Sequence, residues 1–357
     1  MALSRRVLRR LRSLGDRRTP FEIKRDALVR ELDDLAAGDA PLLAGPWRGD
    51  LGYELLFWLP LLRSFVGARP ELEARIVALS RGGTASWYGG IARRYVDLFE
   101  LMSYQEMQAL AGSEGATKKG HGVLGKKQVV ASPLDRELER LAAERLGLER
   151  TRTIEPRLAP AAMQLAKLEF EAATDRFLRF SPIEPPALPS GLDLPDRYVA
   201  VRFYANPQLP RSSENMERVR RAVELLAADF PVVLLGTGTK LGGHSEHLDS
   251  WPDGVVTVER GMEPATNLAT QTAVIARAAL FVGTYGGLSY LAPFVGVPAL
   301  GLYSVRAKIN PLYLRMIELG AREVGRDYAT LDVGALEPDE VAARVREHAS
   351  TAALTSR

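Results

Sequence analysis

The chain has 357 residues, 46% of them hydrophobic and 25% charged, a composition typical of soluble globular proteins and a length that suits two domains better than one core. No apolar run is long enough to span a membrane, the absence of cysteine excludes disulfides and thiolate ligands or nucleophiles, and His121, His244, His247 and His348 form no zinc pattern. The net charge of +3 belongs to one end: residues 1–20 hold seven arginines against one aspartate, which leaves the other 337 residues at −3.

In that basic start Leu3, Val7, Leu8, Leu11 and Leu14 fall at helical spacing among the arginines. It reads either as an amphipathic helix lying on an anionic membrane surface or as a frayed terminus that only aids solubility. Nucleic acid is not expected as a partner, because no basic or aromatic stripe continues into the globular part. No apolar stretch and small-residue cleavage site follow the arginines, so the expected location is cytoplasmic, at the inner face of the membrane if the tail binds lipid.

A charged helix over Phe21–Ala37 completes an N-terminal segment of residues 1–37. The first half, residues 38–180, opens with the apolar strand Pro41–Gly45, the turn GPWRGDLGYE and the helix YELLFWLPLLRSFVG, with a kink expected at Pro60. The strand Ala74–Ser80, the stretch RGGTASWYGG and a helix through Ile91–Leu98 follow. Gly112–Lys127, rich in glycine and lysine without periodicity, reads as a lid-like loop. Helices over Asp135–Leu146 and Ala161–Arg179 lead to a proline-rich linker, residues 181–195. The second half, residues 196–335, alternates strands RYVAVRF, PVVLL and GVVTV with helices Glu214–Asp229 and Asn267–Ala279. Such alternation predicts an α/β fold of two doubly wound, Rossmann-like parallel sheets facing a cleft. Residues 336–357 carry a last helix, Pro338–His348, expected to cross back to the first domain.

The run Leu280–Ser304, LFVGTYGGLSYLAPFVGVPALGLYS, is the most informative segment. It reads as a buried strand, a glycine turn at the strand's carboxyl end, a short helix and a second, parallel strand. Thr284, Tyr285, Gly286, Gly287 and Ser289 form that turn, and the two glycines would let a phosphate or ribose approach the helix amides. The plainer reading is a tight helix-to-sheet contact with no ligand. Arg202, ending RYVAVRF, could grip two phosphate oxygens with its fork, or form an ion pair only. Arg211 is a second cation candidate, with Ser212 or Ser213 capping the helix at Glu214. Thr237, Gly238 and Lys240, in the GTGTKLGGH loop after PVVLL, suit a base or ribose contact, and Glu263 suits ribose hydroxyls, unless it belongs with Thr266 to a helix cap.

Two Rossmann-like halves, a proline linker and a terminal nucleotide turn together resemble the GT-B glycosyltransferases. LFVGTYGGLSYLA is similar to the nucleotide-binding loop of the heptosyltransferase-like enzymes, keeping Gly283, Gly287 and Leu291-Ala292. It has Thr284, Tyr285 and Tyr290 where that pattern has Asn, Asp and His. Thr284 with an aromatic at Tyr285 also resembles a fucosyltransferase-like segment, where Gly286 replaces a serine. Gly49-Asp50-Leu51 matches the Gly-Asp-aliphatic turn on the first strand-to-helix loop of heptosyltransferase-like enzymes, whose aspartate is held to be the base. The resemblance implies transfer of a sugar from a nucleotide-diphosphate donor to a hydroxyl of a glycan or lipid-linked acceptor of the cell-envelope polysaccharide kind. The reaction is expected to be inverting, with no cofactor beyond the nucleotide-sugar co-substrate, and metal-independent, since Arg202 and the helix amides can carry the diphosphate charge and no Asp-x-Asp motif is present. Such a reaction needs a carboxylate to take the acceptor proton, for which Asp50 and Glu54, one helical turn on, are the candidates; either could instead serve the helix amino terminus. A non-hydrolysing nucleotide-sugar epimerase and a non-catalytic nucleotide-sugar-binding protein share the fold and stay open. A nicotinamide oxidoreductase is disfavoured, since no G-x-G-x-x-G follows the first strand of either half.

Overall fold

The computed structural model describes residues 18–113, 128–236, 246–258 and 261–355. Two all-parallel sheets organise the chain. The first has the order β3-β2-β1-β4, built from β1 (Leu42–Ala44), β2 (Ile76–Ser80), β3 (Arg94–Asp97) and β4 (Arg152–Ile154). Leu42 pairs with Ile76 on one side and Arg152 on the other. The second sheet has the order β10-β9-β8-β5-β6-β7. Its strands are β5 (Val199–Arg202), β6 (Val232–Leu234), β7 (Val255–Thr257), β8 (Leu280–Thr284), β9 (Ala299–Tyr303) and β10 (Tyr328–Asp332). β1, β5, β6, β8 and β9 are fully buried, as expected where helices cover both faces of a parallel sheet. In each sheet the direction of strand addition reverses once, between β1 and β4 and between β5 and β8. Loops at the carboxyl ends of strands beside such a reversal form the crevice where ligands of doubly wound sheets bind.

Helix α1 (Pro20–Ala36) starts in a capping box of Thr19 and Glu22, with Pro20 in its first turn. It buries Phe21, Leu28, Leu32 and Leu35. After β1 one helical run carries α2 (Leu51–Tyr53), a π-helical turn (Glu54–Trp58) and α3 (Leu59–Gly67). This widened turn, in which the Leu59 amide reaches back five residues to the Glu54 carbonyl, lies just ahead of Pro60, where the sequence predicts a kink. Pro60 sits at the start of α3. Tyr53, Phe57, Trp58, Phe281, Tyr290, Phe294, Met316 and Ile317 belong to one hydrophobic cluster, so a continuous core joins the two sheets.

Several expected elements differ. Ile91–Leu98 is not a helix: Arg94–Asp97 is the edge strand β3 and Asp97 caps a short helix, α4 (Leu98–Leu101). After α5 (Tyr104–Ser113), α6 (Pro133–Arg145) starts at Ser132, which accepts the Asp135 amide. The expected Ala161–Arg179 helix breaks at Glu169, whose extended backbone (φ −142°) separates α7 (Leu158–Leu168) from α8 (Phe170–Phe177). The break turns the chain back onto α3, where the Arg179 amide meets the Pro60 carbonyl at 3.1 Å. In the second domain α9 (Ser213–Asp229) is capped by Ser212, and α10 (Asn267–Ile275) and α11 (Gly287–Phe294) flank β8.

The final helix does not cross back. α13 (Pro338–Thr355) packs on α9 over the outer face of the second sheet. The crossing element is α12 (Pro311–Glu323), unforeseen in sequence, whose Tyr313 ring lies 5.5 Å from that of Phe57 and 6.2 Å from that of Tyr53. Among the described residues no helix is long and apolar enough to cross a membrane.

Candidate active site

The loop after β1 is stitched to both neighbouring strands, through Gly45 N to the Ile154 carbonyl (3.1 Å) and Trp47 N to the Leu79 carbonyl (2.8 Å). Trp47 stacks on Trp58 at 5.3 Å, and a side chain at Gly49 would stand 2.9 Å from the Trp47 ring, so only glycine passes there without displacement. Arg48 and Asp135, both buried, form an ion pair at 2.7 Å. Gln128 accepts from the Arg48 amide (2.8 Å) and donates to the Pro46 carbonyl (2.8 Å). The chain leaves this clamp at Asp50, which is exposed and caps α2 by accepting the Gly52 amide at 2.8 Å. The capping role and an outward-facing carboxylate therefore coexist.

Glu54, the second expected base, is fully buried. Its Oε1 accepts from Ser80 (2.9 Å) and Tyr88 (2.7 Å), and its Oε2 accepts from Arg81 Nη1 at 2.9 Å. An acceptor hydroxyl in the cleft cannot reach it. This corrects its expected role, and the reason is packing: the π-helical turn directs Glu54 under the Asp50 turn toward the end of β2.

Across the cleft, the residues expected to line the glycine turn mostly face inward. Thr284 is buried, its hydroxyl donating to the Tyr204 carbonyl (2.9 Å) and accepting the Tyr204 amide (3.0 Å). Ser289, also buried, donates to the Gly286 carbonyl (2.9 Å) and accepts the Gly286 amide (3.1 Å). The Tyr285 ring packs edge-on against Tyr290 and Tyr303. The Gly287 amide donates to the Tyr204 hydroxyl. The Gly286 and Gly287 amides, two of those expected to receive a phosphate or ribose, are thus engaged within the protein. Gly286 is required, with φ +153° and a would-be Cβ 2.3 Å from the Tyr204 hydroxyl. Arg202 ends β5 as expected, buried, with its guanidinium on Glu246 and 6.0 Å from the Tyr204 ring.

The two turns meet. A Cβ at Gly287 would lie 2.6 Å from Leu51 Cβ, and one at Gly52 would lie 2.9 Å from the Tyr290 ring. Burial first, then the Asp50 charge, pushes the phenols of Tyr204 and Tyr313 above the ordinary tyrosine range. Asp50 of the first domain is thus electrostatically coupled to one tyrosine from the end of β5 and one from α12. A second contact closes the far side. The Ala269 amide donates to the Gly82 carbonyl (2.8 Å), Trp87 donates to Thr272 (3.0 Å), and Gly83 leaves no room for a side chain beside Ala265 and Ala269.

Asp97 supports that glycine loop, accepting from the Gly83 amide (2.7 Å) and the Tyr95 hydroxyl (2.8 Å). Burial lifts its carboxyl to about 6, opposed by these hydrogen bonds. A raised folded-state value means that its stabilising contribution is complete at pH values below the ordinary aspartate range and is lost as pH rises through about 6. Between pH 4 and 7 the urea stability of the wild type should fall relative to that of Asp97→Asn by on the order of 3 kcal/mol. Parallel stability curves for the two proteins would show that Asp97 titrates normally.

The other expected residues lie outside this meeting point. Arg211 pairs with the exposed Asp249 at 2.6 Å and lies against Met216. Glu263, exposed, accepts from Thr266 at 3.0 Å ahead of α10. Thr266 occupies the cap position without a side-chain capping bond, its hydroxyl turning instead to Gly261 and Glu263. Thr237, Gly238 and Lys240, the basic tail through residue 17, and residues 114–127 of the lid-like loop lie outside the described residues. Four residues not singled out from sequence complete the site. Tyr204 had a signal, two positions after Arg202 at a strand end. Tyr313, Arg81 and Gln128 had none, because their placement depends on unrecognised packing.

No family model matches the chain, and no curated protein matches it. Among solved structures it resembles a family 9 glycosyl transferase from Veillonella parvula (14% identity, 89% of this chain and 97% of that one, TM-score 0.48). It also resembles the ADP-heptose lipopolysaccharide heptosyltransferase II of Escherichia coli (12%, 88% and 99%, TM-score 0.49). A third is the glycosyltransferase SnogD from Streptomyces nogalater (14%, 88% and 98%, TM-score 0.37).

Proposed function

We propose that the chain is a glycosyltransferase: a nucleotide-diphosphate sugar binds at the carboxyl ends of β5 and β8, and an acceptor hydroxyl of a glycan or lipid-linked sugar attacks it with Asp50 as base. One observation carries this reading. The exposed Asp50 carboxylate stands at the reversal point of the first sheet, its charge raises the Tyr204 phenol, and the residues after it, Leu51 and Gly52, pack on Gly287 and Tyr290 at the reversal point of the second. Each sheet brings its ligand crevice to the same place. In this reading Asp50 takes the acceptor proton as the new glycosidic bond forms on the face opposite the departing diphosphate, which inverts the anomeric carbon. The diphosphate replaces the Glu246 carboxylate on the Arg202 fork, a bidentate match for phosphate oxygens. No metal is assigned to the step, because the sequence has no Asp-x-Asp pattern.

Release of nucleoside diphosphate from a panel of nucleotide sugars, with and without a bacterial glycolipid extract, tests the reaction. Acceptor-dependent release from one donor is expected; no release from any donor would reject the reading. Arg202→Ala should weaken binding of the released nucleoside diphosphate by about 1.5–3 kcal/mol in calorimetry, the worth of a hydrogen bond to a charged group. Equal affinity of variant and wild type would move the diphosphate elsewhere.

A further inference from the structure

We infer that Arg81 is a positioning residue that aims Asp50 into the cleft and keeps that aim in register with the second domain. The inference rests on the assignment of Asp50 as base. Arg81 lies one residue past β2 and is nearly buried, and its guanidinium divides between two partners. Nη1 donates to Glu54 Oε2 at 2.9 Å, and Nη2 donates to the Gly49 carbonyl. That carbonyl belongs to the peptide bond that carries Asp50, so the guanidinium plane fixes the orientation of the peptide from which the base projects. Glu54 is itself immobilised by Ser80 and by Tyr88, whose hydroxyl also accepts from Trp58 Nε1 at 3.2 Å.

Burying an ion pair is a poor route to stability, since desolvation offsets the attraction. A fork that reaches a backbone carbonyl next to an exposed carboxylate has a geometric use instead. The following residues supply the second, independent observation. Gly82 and Gly83 both touch the start of α10 of the other domain, through the Gly82 carbonyl to the Ala269 amide and through the close approach of Gly83 to Ala269 and to Ala265 just ahead of the helix. Residues 81–83 therefore connect the Asp50 peptide at one end with the second domain at the other. A shift of α10 would be transmitted to the base along three consecutive residues.

The test compares Arg81→Lys and Arg81→Ala with the wild type in steady-state transfer, nucleoside diphosphate binding and thermal melting. An ammonium group can keep the charge opposite Glu54 but cannot span both partners as a planar fork does. Arg81→Lys should therefore melt near the wild type and bind nucleoside diphosphate with unchanged affinity and unchanged donor KM. Its kcat should fall about 10- to 100-fold, as misplacement by an ångström can cause. Arg81→Ala should lose at least as much in kcat per folded molecule. If Arg81→Ala does not fold, Arg81→Lys alone decides. Wild-type kcat in a folded Arg81→Lys, or a loss confined to KM or to the folded fraction, overturns the positioning role. Inactive Asp50→Asn beside fully active Arg81 variants overturns this role alone, whereas fully active Asp50→Asn removes the base assignment and this role with it.

Discussion

Replacing Asp50 with asparagine is expected to lower turnover by about 10²- to 10⁴-fold while nucleoside diphosphate affinity stays near wild type. Asparagine keeps the oxygen that accepts the Gly52 amide, so the cap on α2 and the shape of the turn survive. Only the proton acceptor is removed. Steady-state kinetics with calorimetry in parallel separates the two effects. Glu54→Gln is the informative companion, because Glu54 is buried on three donors. Its loss should appear first as lowered stability, since removing one partner of a buried ion pair leaves the other uncompensated, at a cost of about 3–5 kcal/mol. Full activity in Asp50→Asn would remove the base assignment from Asp50.

Gly287→Ala is expected to have the second-largest effect. The added methyl would stand 2.6 Å from Leu51 Cβ and 3.2 Å from the Gly52 amide, closer than carbon atoms tolerate. Either α2 or α11 must therefore move. Overpacking of this kind costs about 1–3 kcal/mol, and because the displaced residues flank Asp50, kcat should fall by on the order of 10²-fold. Leu51→Gly removes the Cβ that the new methyl meets from the other domain, so the double variant should recover part of both losses. A coupling of about 0.5–3 kcal/mol is expected in the stability cycle. Strictly additive effects would mean that the two turns do not touch in solution.

The parts of this architecture that were legible in the sequence are the locally encoded ones. Leu280–Thr284 with Gly286-Gly287, and the Gly49-Asp50-Leu51 turn, are runs whose backbone geometry follows from their own residues. The alternation of the second half gave the parallel sheet. Edge strands were harder: β4 has three residues, and β3 has four with an exposed Arg94 and a half-buried Tyr95. Neither carries enough apolar periodicity to separate strand from helix. Side-chain direction was harder still. Thr284 and Ser289 sit in the expected turn but bond inward, Thr284 to Tyr204 of the neighbouring β5 loop and Ser289 to Gly286 within the turn itself. Glu54 and Asp50 are equivalent in sequence as carboxylates of one helix start. The π-helical turn and the buried Arg81 separate them, placing one in the core and the other at the surface.

Thermal melting of the wild-type protein against a panel of nucleoside diphosphates tests the central claim most directly, because a ligand that binds only the folded state raises the melting temperature by mass action. One nucleoside diphosphate should raise it in a concentration-dependent way, Asp50→Asn should show the same shift, and Arg202→Ala should show a much smaller one. No shift with any nucleoside diphosphate, or an undiminished shift in Arg202→Ala, would contradict a donor site at the ends of β5 and β8.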